Sequence, residues 1–217
     1  FTNSAALYRI SRDGTEKMIS MKVEAGEFRL SPDGSYIAYR ADGVLKLWHE
    51  SFPAEKSCGV NAIPFGVSDD GKIYAVGSDD RTVYYGEPGD MKKIYESDWN
   101  SILRIALNRD CTECIFTGSG FSRISVKGGE PSKFVEWEKF PYKLSDHVYD
   151  VDTFREGAYL APGRNDNFVD LYYLAGDGKT YYLAEGNPSY QITPYGNLYY
   201  MQTRDDYNFY CFDIALR

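Results

Sequence analysis

Histidine is almost absent from this chain: two residues, His49 and His147, stand among 217. A Ser/His/Asp triad or a multi-histidine metal centre has few possible anchors here, so the sequence reads as non-enzymatic, with no catalytic residue, metal or cofactor. Long apolar runs are missing too. None approaches the roughly 20 residues that a membrane-spanning helix needs, which argues against direct membrane insertion. No window carries a sustained i, i+3, i+4, i+7 apolar stripe, so amphipathic helices are not expected. Lysine and arginine never form a run, and the formal net charge is −8. Nucleic acid and anionic membrane both demand a basic footprint, and both are set aside as partners. The one mildly basic region, 123–143, interleaves its cations with Glu130, Glu136 and Glu138 and reads as a solvated edge.

Cysteine is sparse, with Cys58, Cys111, Cys114 and Cys211 making up the four. Cys111-Thr-Glu-Cys114 has the C-x-x-C spacing of zinc ligands or redox pairs. No second C-x-x-C and no paired histidine accompany it, and the plainer reading is a turn residue followed by a small buried hydrophobe. Disulfides between more distant pairs stay open. The sequence opens without an initiating methionine, and no signal-peptide pattern is expected in its first residues. Its opening, F-T-N-S-A-A-L-Y-R-I, aligns without gaps on Y-R-A-D-G-V-L-K-L-W at 39–48. The chain is therefore expected to start inside a structural repeat, having been excised or processed from a longer polypeptide, and an exported or cell-surface/periplasmic location is expected for it.

Aromatic residues are abundant, with 20 Tyr and 12 Phe, against ordinary hydrophobic and charged fractions of 43% and 26%. Rings fit a pleated, packed surface, so the composition favours an all-β domain with a core of its own. The organising stretch is L-S-P-D-G-S-Y-I-A-Y-R-A-D-G-V-L-K-L-W at 30–48. Pro32-Asp33-Gly34 is a turn, Tyr36 to Tyr39 a nearly chargeless strand covered on both faces, and Ala41-Asp42-Gly43 a second turn into a third strand. Looser copies begin at 68, 108, 154 and 193. Matching the ends of their second strands at Phe1, Tyr39, Val76, Phe116, Leu160 and Tyr200 gives a period of about 40 residues, the spacing of propeller blades.

S-P-D-G-S-Y-I-A-Y at 31–39 resembles the signature of the WD40-like, TolB-type β-propeller repeats, and S-D-D-G-K-I-Y-A-V-G-S-D-D-R-T-V-Y-Y at 68–85 is similar to it. Cys111, Glu156 and Tyr195 disturb the P-D-G turn in the last three copies, where only the spacing carries the likeness. The resemblance implies a β-propeller of about five four-stranded blades, or part of a larger propeller, across residues 1–217 as a single domain. It also implies a habit of binding other molecules, since such repeats share no catalytic set. Residues 15–23 read as an outer fourth strand that would complete the last copy, yet residues 5–10 then leave one strand too many for a strict five-blade ring.

Three further features bear on function. The tandem tyrosines at 84–85, 172–173, 181–182 and 199–200 place one ring on each face of a strand, as blade cores require. Exposed rings there would instead suit a sugar, so a lectin-like carbohydrate site is an alternative. The segment D-H-V-Y-D-V-D at 146–152 puts Asp146, Asp150 and Asp152 on one face of a strand, where they read as hydrated channel residues rather than cation ligands. The loops between second and third strands carry charge at matching positions, Asp42; Asp79, Asp80 and Arg81; Arg164, Asn165 and Asp166; Arg204, Asp205 and Asp206, while the middle copy offers only Gly118-Ser119-Gly120. Turn chemistry accounts for Asp and Asn but not for Arg. This rim, with Trp48, Trp99 or Trp137 beside it, is the expected interaction face for a protein or peptide partner. A further alternative is a propeller that assists a hydrolase whose catalytic domain lies outside this chain.

Overall fold

The computed structural model describes residues 4–10, 13–98, 101–102, 104–108, 111–117, 121–134, 144–154, 157–164, 170–175, 179–184, 189–192, 197–202 and 208–213. Every regular element among them is a β-strand. The first sheet runs β1 (Ser4–Ile10), β2 (Glu16–Leu30), β3 (Tyr36–Ala41), β4 (Val44–His49) and β5 (Lys56–Ser57). The second contains β6 (Ala62–Val67), β7 (Ile73–Gly77), β8 (Thr82–Gly86) and β9 (Lys92–Glu96). The third contains β10 (Arg104–Leu107), β11 (Glu113–Thr117), β12 (Phe121–Ser125) and β13 (Ser132–Lys133). The fourth contains β14 (Leu144–Phe154), β15 (Gly157–Arg164), β16 (Leu171–Leu174) and β17 (Thr180–Ala184). The fifth contains β18 (Ser189–Ile192), β19 (Asn197–Gln202) and β20 (Asn208–Asp213). Spatial order equals chain order in each, so every sheet is an antiparallel meander. The residues that anchor the repeat, Tyr39, Val76, Phe116, Leu160 and Tyr200, fall in β3, β7, β11, β15 and β19.

The chain forms two compact units, Phe1–Asp98 and Trp99–Arg217. In the first unit, the alternation of β3 and β4 sorts their side chains onto two faces. Ala38, Leu45 and Leu47 pack with Cys58, Ala62, Val67, Ile73 and Ala75, which joins the first sheet to the second. Ile37, Tyr39, Ala41 and Trp48 occupy the opposite face, where Leu7 of β1 and Ile19 of β2 cover them. Both faces of β3 are buried, which explains its nearly chargeless sequence. Each fully buried Leu or Ile in such a core is worth about 1.5–3 kcal/mol. In the second unit, Ala106, Ile115 and Phe121 of the third sheet pack with Ala158, Tyr172 and Leu174 of the fourth.

The N-terminal hairpin departs from the sequence expectation in its continuity. Residues 15–23 were expected to form an outer strand separate from the first repeat, but β2 runs unbroken into the repeat's own first strand. Its N-terminal half pairs with β1, from Ile10↔Glu16 to Ser4↔Glu24, while its C-terminal half pairs with β3 at Phe28↔Tyr39 and Leu30↔Ile37. A register break between Val23 and Phe28 separates the halves. Such a bulge bends the strand, and here the bend swings the hairpin across the Trp48 face. Arg9 and Lys17, directly opposed on β1 and β2, both lie over the indole of Trp48, at 5.7 and 5.4 Å from its centroid.

The Pro-Asp-Gly turns are built from one hydrogen-bond scheme. Ser31, Ser68 and Asn108 each receive at their carbonyl the N–H of the residue three ahead, Gly34, Gly71 and Cys111. All three of those residues have positive φ, at 73°, 81° and 56°. The side-chain oxygens of Ser31, Ser68 and Asn108 then accept N–H groups from the start of the next strand. Cys111 therefore stands where the other copies use glycine. Cys114 is buried in β11, as the repeat alignment implies, and burial pushes its thiol up to about 12.

Candidate functional site

The rim expected from the sequence is described at two of its positions. In the first sheet, Asp42 and Gly43 form the two-residue turn between β3 and β4, with φ of 51° and 73°. Both values are left-handed, as the turn type that matches strand twist requires, and Asp and Gly are the residues that tolerate it. The Asp42 carboxylate is exposed and reaches Lys22 at 3.4 Å. Beneath it, Glu24 accepts the Gly43 N–H at 3.0 Å and pairs with Arg40 at 3.2 Å, while Glu27 meets the same guanidinium at 3.1 Å.

In the second sheet, Asp79 is the frame of the β7–β8 turn. Its Oδ1 accepts the N–H groups of Arg81 and Thr82, and its Oδ2 accepts the Thr82 hydroxyl. Burial pushes its pKa up, but these donors outweigh that and hold the carboxyl below its ordinary range. Asp80 has φ of 57° and is exposed, the same conformation that Asp42 takes one repeat earlier. Arg81 turns its guanidinium onto its own chain: Nε and Nη2 donate to the Ser97 carbonyl at 2.8 and 2.6 Å, and Nη2 also donates to the Asp98 carbonyl at 2.7 Å. The arginine that turn chemistry left unexplained thus closes the end of β9 against β8.

Of the other rim residues, Arg164 is the last residue of β15, paired across the ladder with Leu144. Asn165, Asp166, Arg204, Asp205 and Asp206 lie outside the described residues, as do Trp99 and Trp137. Trp48 is buried at 5% exposure, so it is part of the core rather than of the rim.

The opposite end of the first sheet holds a cluster that the sequence reading did not single out. Tyr36 and His49 are Cα partners at the far end of the β3–β4 ladder from the Asp42 turn. Their ring centroids are 4.4 Å apart, and Phe52, from the loop leading to β5, joins at 6.2 and 5.4 Å. His49 Nδ1 accepts the Ser51 N–H at 3.1 Å and lies 2.8 Å from Ser51 Oγ, which fixes the loop. Lys56 Nζ lies 4.1 Å from the Phe52 centroid. Across from the cluster, Gly71 lies so close to Tyr36 that a Cβ there would sit 2.9 Å from the ring. The turns of the two sheets are tied together where the Asp33 N–H donates to Asp69 Oδ1 at 3.0 Å. Alternating ring residues were visible in the sequence, but Phe52 sits in an irregular loop and Lys56 in a strand of only two residues, neither of which carries a periodic signal.

The tandem tyrosines divide by position. Tyr84 and Tyr172 pack on cores, whereas Tyr181 and Tyr182 of β17 remain 45% and 48% exposed. Tyr199 and Tyr200 of β19 lie opposite Gln191 and Tyr190 of β18 on the ladder, and their side chains, like those of Asp146, Asp150 and Asp152, lie outside the described residues. Among the described residues, no group of three or more His, Cys, Asp or Glu side chains is placed to hold a metal ion, and no helix is long and apolar enough to cross a membrane.

No protein-family model and no curated protein matches the chain. Solved structures match it in shape. The putative TolB from Agrobacterium tumefaciens superposes with a TM-score of 0.62 at 11% identity, over 97% of this chain and 84% of that one. Virginiamycin B lyase from Staphylococcus aureus, in its complex with quinupristin, gives a TM-score of 0.61 at 10% identity, over 92% and 71% of the two chains. YCF48 bound to D1 peptide gives 0.50 at 14% identity, over 75% and 56%. These neighbours include a lyase and a peptide-bound protein, so they share an architecture and not a role. With successive antiparallel meanders of three to five strands at a repeat near forty residues and neighbours of this kind, the fold of this chain is a β-propeller.

Proposed function

We propose that this chain is a non-enzymatic propeller module that binds a peptide or protein partner through the loops between its second and third strands. The observation that carries the reading is the matched pair Asp42 and Asp80. Both occupy left-handed turn positions one repeat apart, and both present exposed carboxylates. Asp79, Arg81 and Glu24 hold the backbone beneath them by hydrogen bonds within the chain. Rigid loops of this kind present charge without the entropic cost of ordering it on binding. The charged segments at 164–166 and 204–206, and residues 1–217 as one domain, belong to the same proposal by their place in the sequence repeat. An acidic rim on a chain of net charge −8 fits a basic segment of the partner. YCF48, the neighbour bound to a peptide, supports a peptide as the partner class. An exported or surface-attached setting belongs to the same reading, and the putative TolB neighbour supports it.

The test is selection of binding peptides from a displayed library on the unsubstituted protein, followed by titration against Asp42→Asn/Asp80→Asn. The double variant is expected to bind about tenfold more weakly, the order expected for removing two complementary charges. Equal binding would remove the rim from the function.

A lectin-like role is the second reading, favoured by the exposed rings of Tyr181 and Tyr182. A glycan array would show binding lost in Tyr181→Ala/Tyr182→Ala if those rings hold a sugar.

A further inference from the structure

At the end of the first sheet away from the Asp42 turn, three rings pack against one another, and a cation lies over one of them, Phe52. Tyr36 starts β3, His49 ends β4 and Phe52 lies in the loop that follows, with interplanar angles of 33°, 62° and 55° between the pairs. Tyr36 and Phe52 are partly buried and rest on the core shared by the first two sheets, so the platform is rigid. Lys56 belongs to the two-residue edge strand β5, is exposed, and brings its ammonium to 4.1 Å from the Phe52 centroid. An ammonium that close to a ring face is held by the negative face of the π system. The Gly71 turn lies against Tyr36, and the two linked turns carry the exposed carboxylates of Asp33 and Asp69.

We propose that this platform is a recognition site for the ammonium group of a lysine side chain, methylated or not, in a partner peptide, with Lys56 as its internal occupant. The partner's ammonium displaces that of Lys56 from Phe52 and gains the field of Asp33 and Asp69. Lys56 swings into solvent at small cost, because it is exposed and its strand is short. A quaternary ammonium suits the place better than a primary one, since it sheds less hydration when it meets the ring. The proposal rests on the reading of the chain as a peptide-binding module, but it uses a surface at the other end of the sheet from the rim.

The experiment titrates a Gly/Ser peptide with one central trimethyllysine, and the same peptide with the neutral tert-butyl isostere, into the unsubstituted protein, Lys56→Ala, and Lys56→Ala/Phe52→Leu. Lys56→Ala is expected to bind the charged peptide about tenfold more tightly than the unsubstituted protein, and the isostere about tenfold less tightly than the charged peptide. The double variant is expected to lose the gain. Upfield shifts of the bound trimethylammonium protons in the Lys56→Ala protein give a readout that needs no ring substitution. Equal affinity of Lys56→Ala and the unsubstituted protein, equal affinity for the isostere, or absence of the upfield shift overturns the proposal. Asp42→Asn/Asp80→Asn should leave this titration unchanged. Loss of library-peptide binding in that variant alone therefore reports on the rim, and loss of trimethyllysine binding alone reports on the platform.

Discussion

At Cys111 the backbone takes φ of +56° in a turn where the two preceding repeats place glycine. A side chain with a Cβ is strained there, and Asn108 compensates by accepting the N–H groups of Thr112 and Glu113 at its side-chain oxygen. Cys111→Gly is expected to stabilise the protein by about 0.5–1 kcal/mol, read as a higher urea midpoint at unchanged slope. Asp33 makes the opposite use of a turn. The Ser31 hydroxyl, then the Ser35 N–H and hydroxyl, hold its carboxyl down to about 2, from an ordinary value of 3.8. A depressed pKa in the folded state means stability that is present above the unfolded value and lost as pH falls through the folded one. Melting temperature should therefore decline between about pH 4 and about pH 2 more steeply in the unsubstituted protein than in Asp33→Asn. Equal slopes would show that the turn contributes nothing to acid stability. Both features were legible in outline, because Pro32-Asp33-Gly34 and its copies name the turn, and the alignment puts Cys111 at its glycine position. Which donors satisfy Asp33 was not legible, since that depends on where Ser31 and Ser35 point once the turn closes.

At the scale of the element, the β8–β9 hairpin depends on two contacts that its sequence does not advertise. Arg81 supplies three hydrogen bonds to the carbonyls of Ser97 and Asp98, and the Ser97 N–H returns one to the Arg81 carbonyl. Arg81→Ala is expected to cost about 1–2 kcal/mol, since each bond is charge-assisted but partly exposed. Arg81→Lys should not rescue it, because one ammonium cannot span both carbonyls in a planar fork. Faster amide exchange across residues 92–98 would check this. At the other end, Gly86 has φ of 146°, and a Cβ there would lie 2.4 Å from the Asp90 carbonyl oxygen. Gly86→Ala meets backbone rather than a yielding side chain and should destabilise by about 2–3 kcal/mol, read from the denaturation midpoint. The register of β2 belongs to this scale too. The bulge between Val23 and Phe28 turns one strand to serve two surfaces, and the apolar pattern alone cannot say whether such a run is one strand or two.

At the scale of the whole molecule, a net charge of −8 produces a field that no single turn creates. If the rim takes a basic segment, association should slow by about an order of magnitude between low and high salt, with dissociation little changed. A stopped-flow series in salt would show it, and a salt-independent rate would deny the rim its electrostatic role. The sequence by itself determined the all-β class, the repeat near forty residues and the turns that separate strands. Those depend on backbone preferences of Gly, Asp and Pro and on period-two alternation, all of which act between near neighbours in the chain. Only the tertiary structure decided that Arg81 is a brace, that Trp48 is buried beneath Arg9 and Lys17, and that Tyr36, His49, Phe52 and Lys56 meet. Each of these contacts joins segments across a ladder or a loop, and its energy depends on distance in space rather than on separation along the chain.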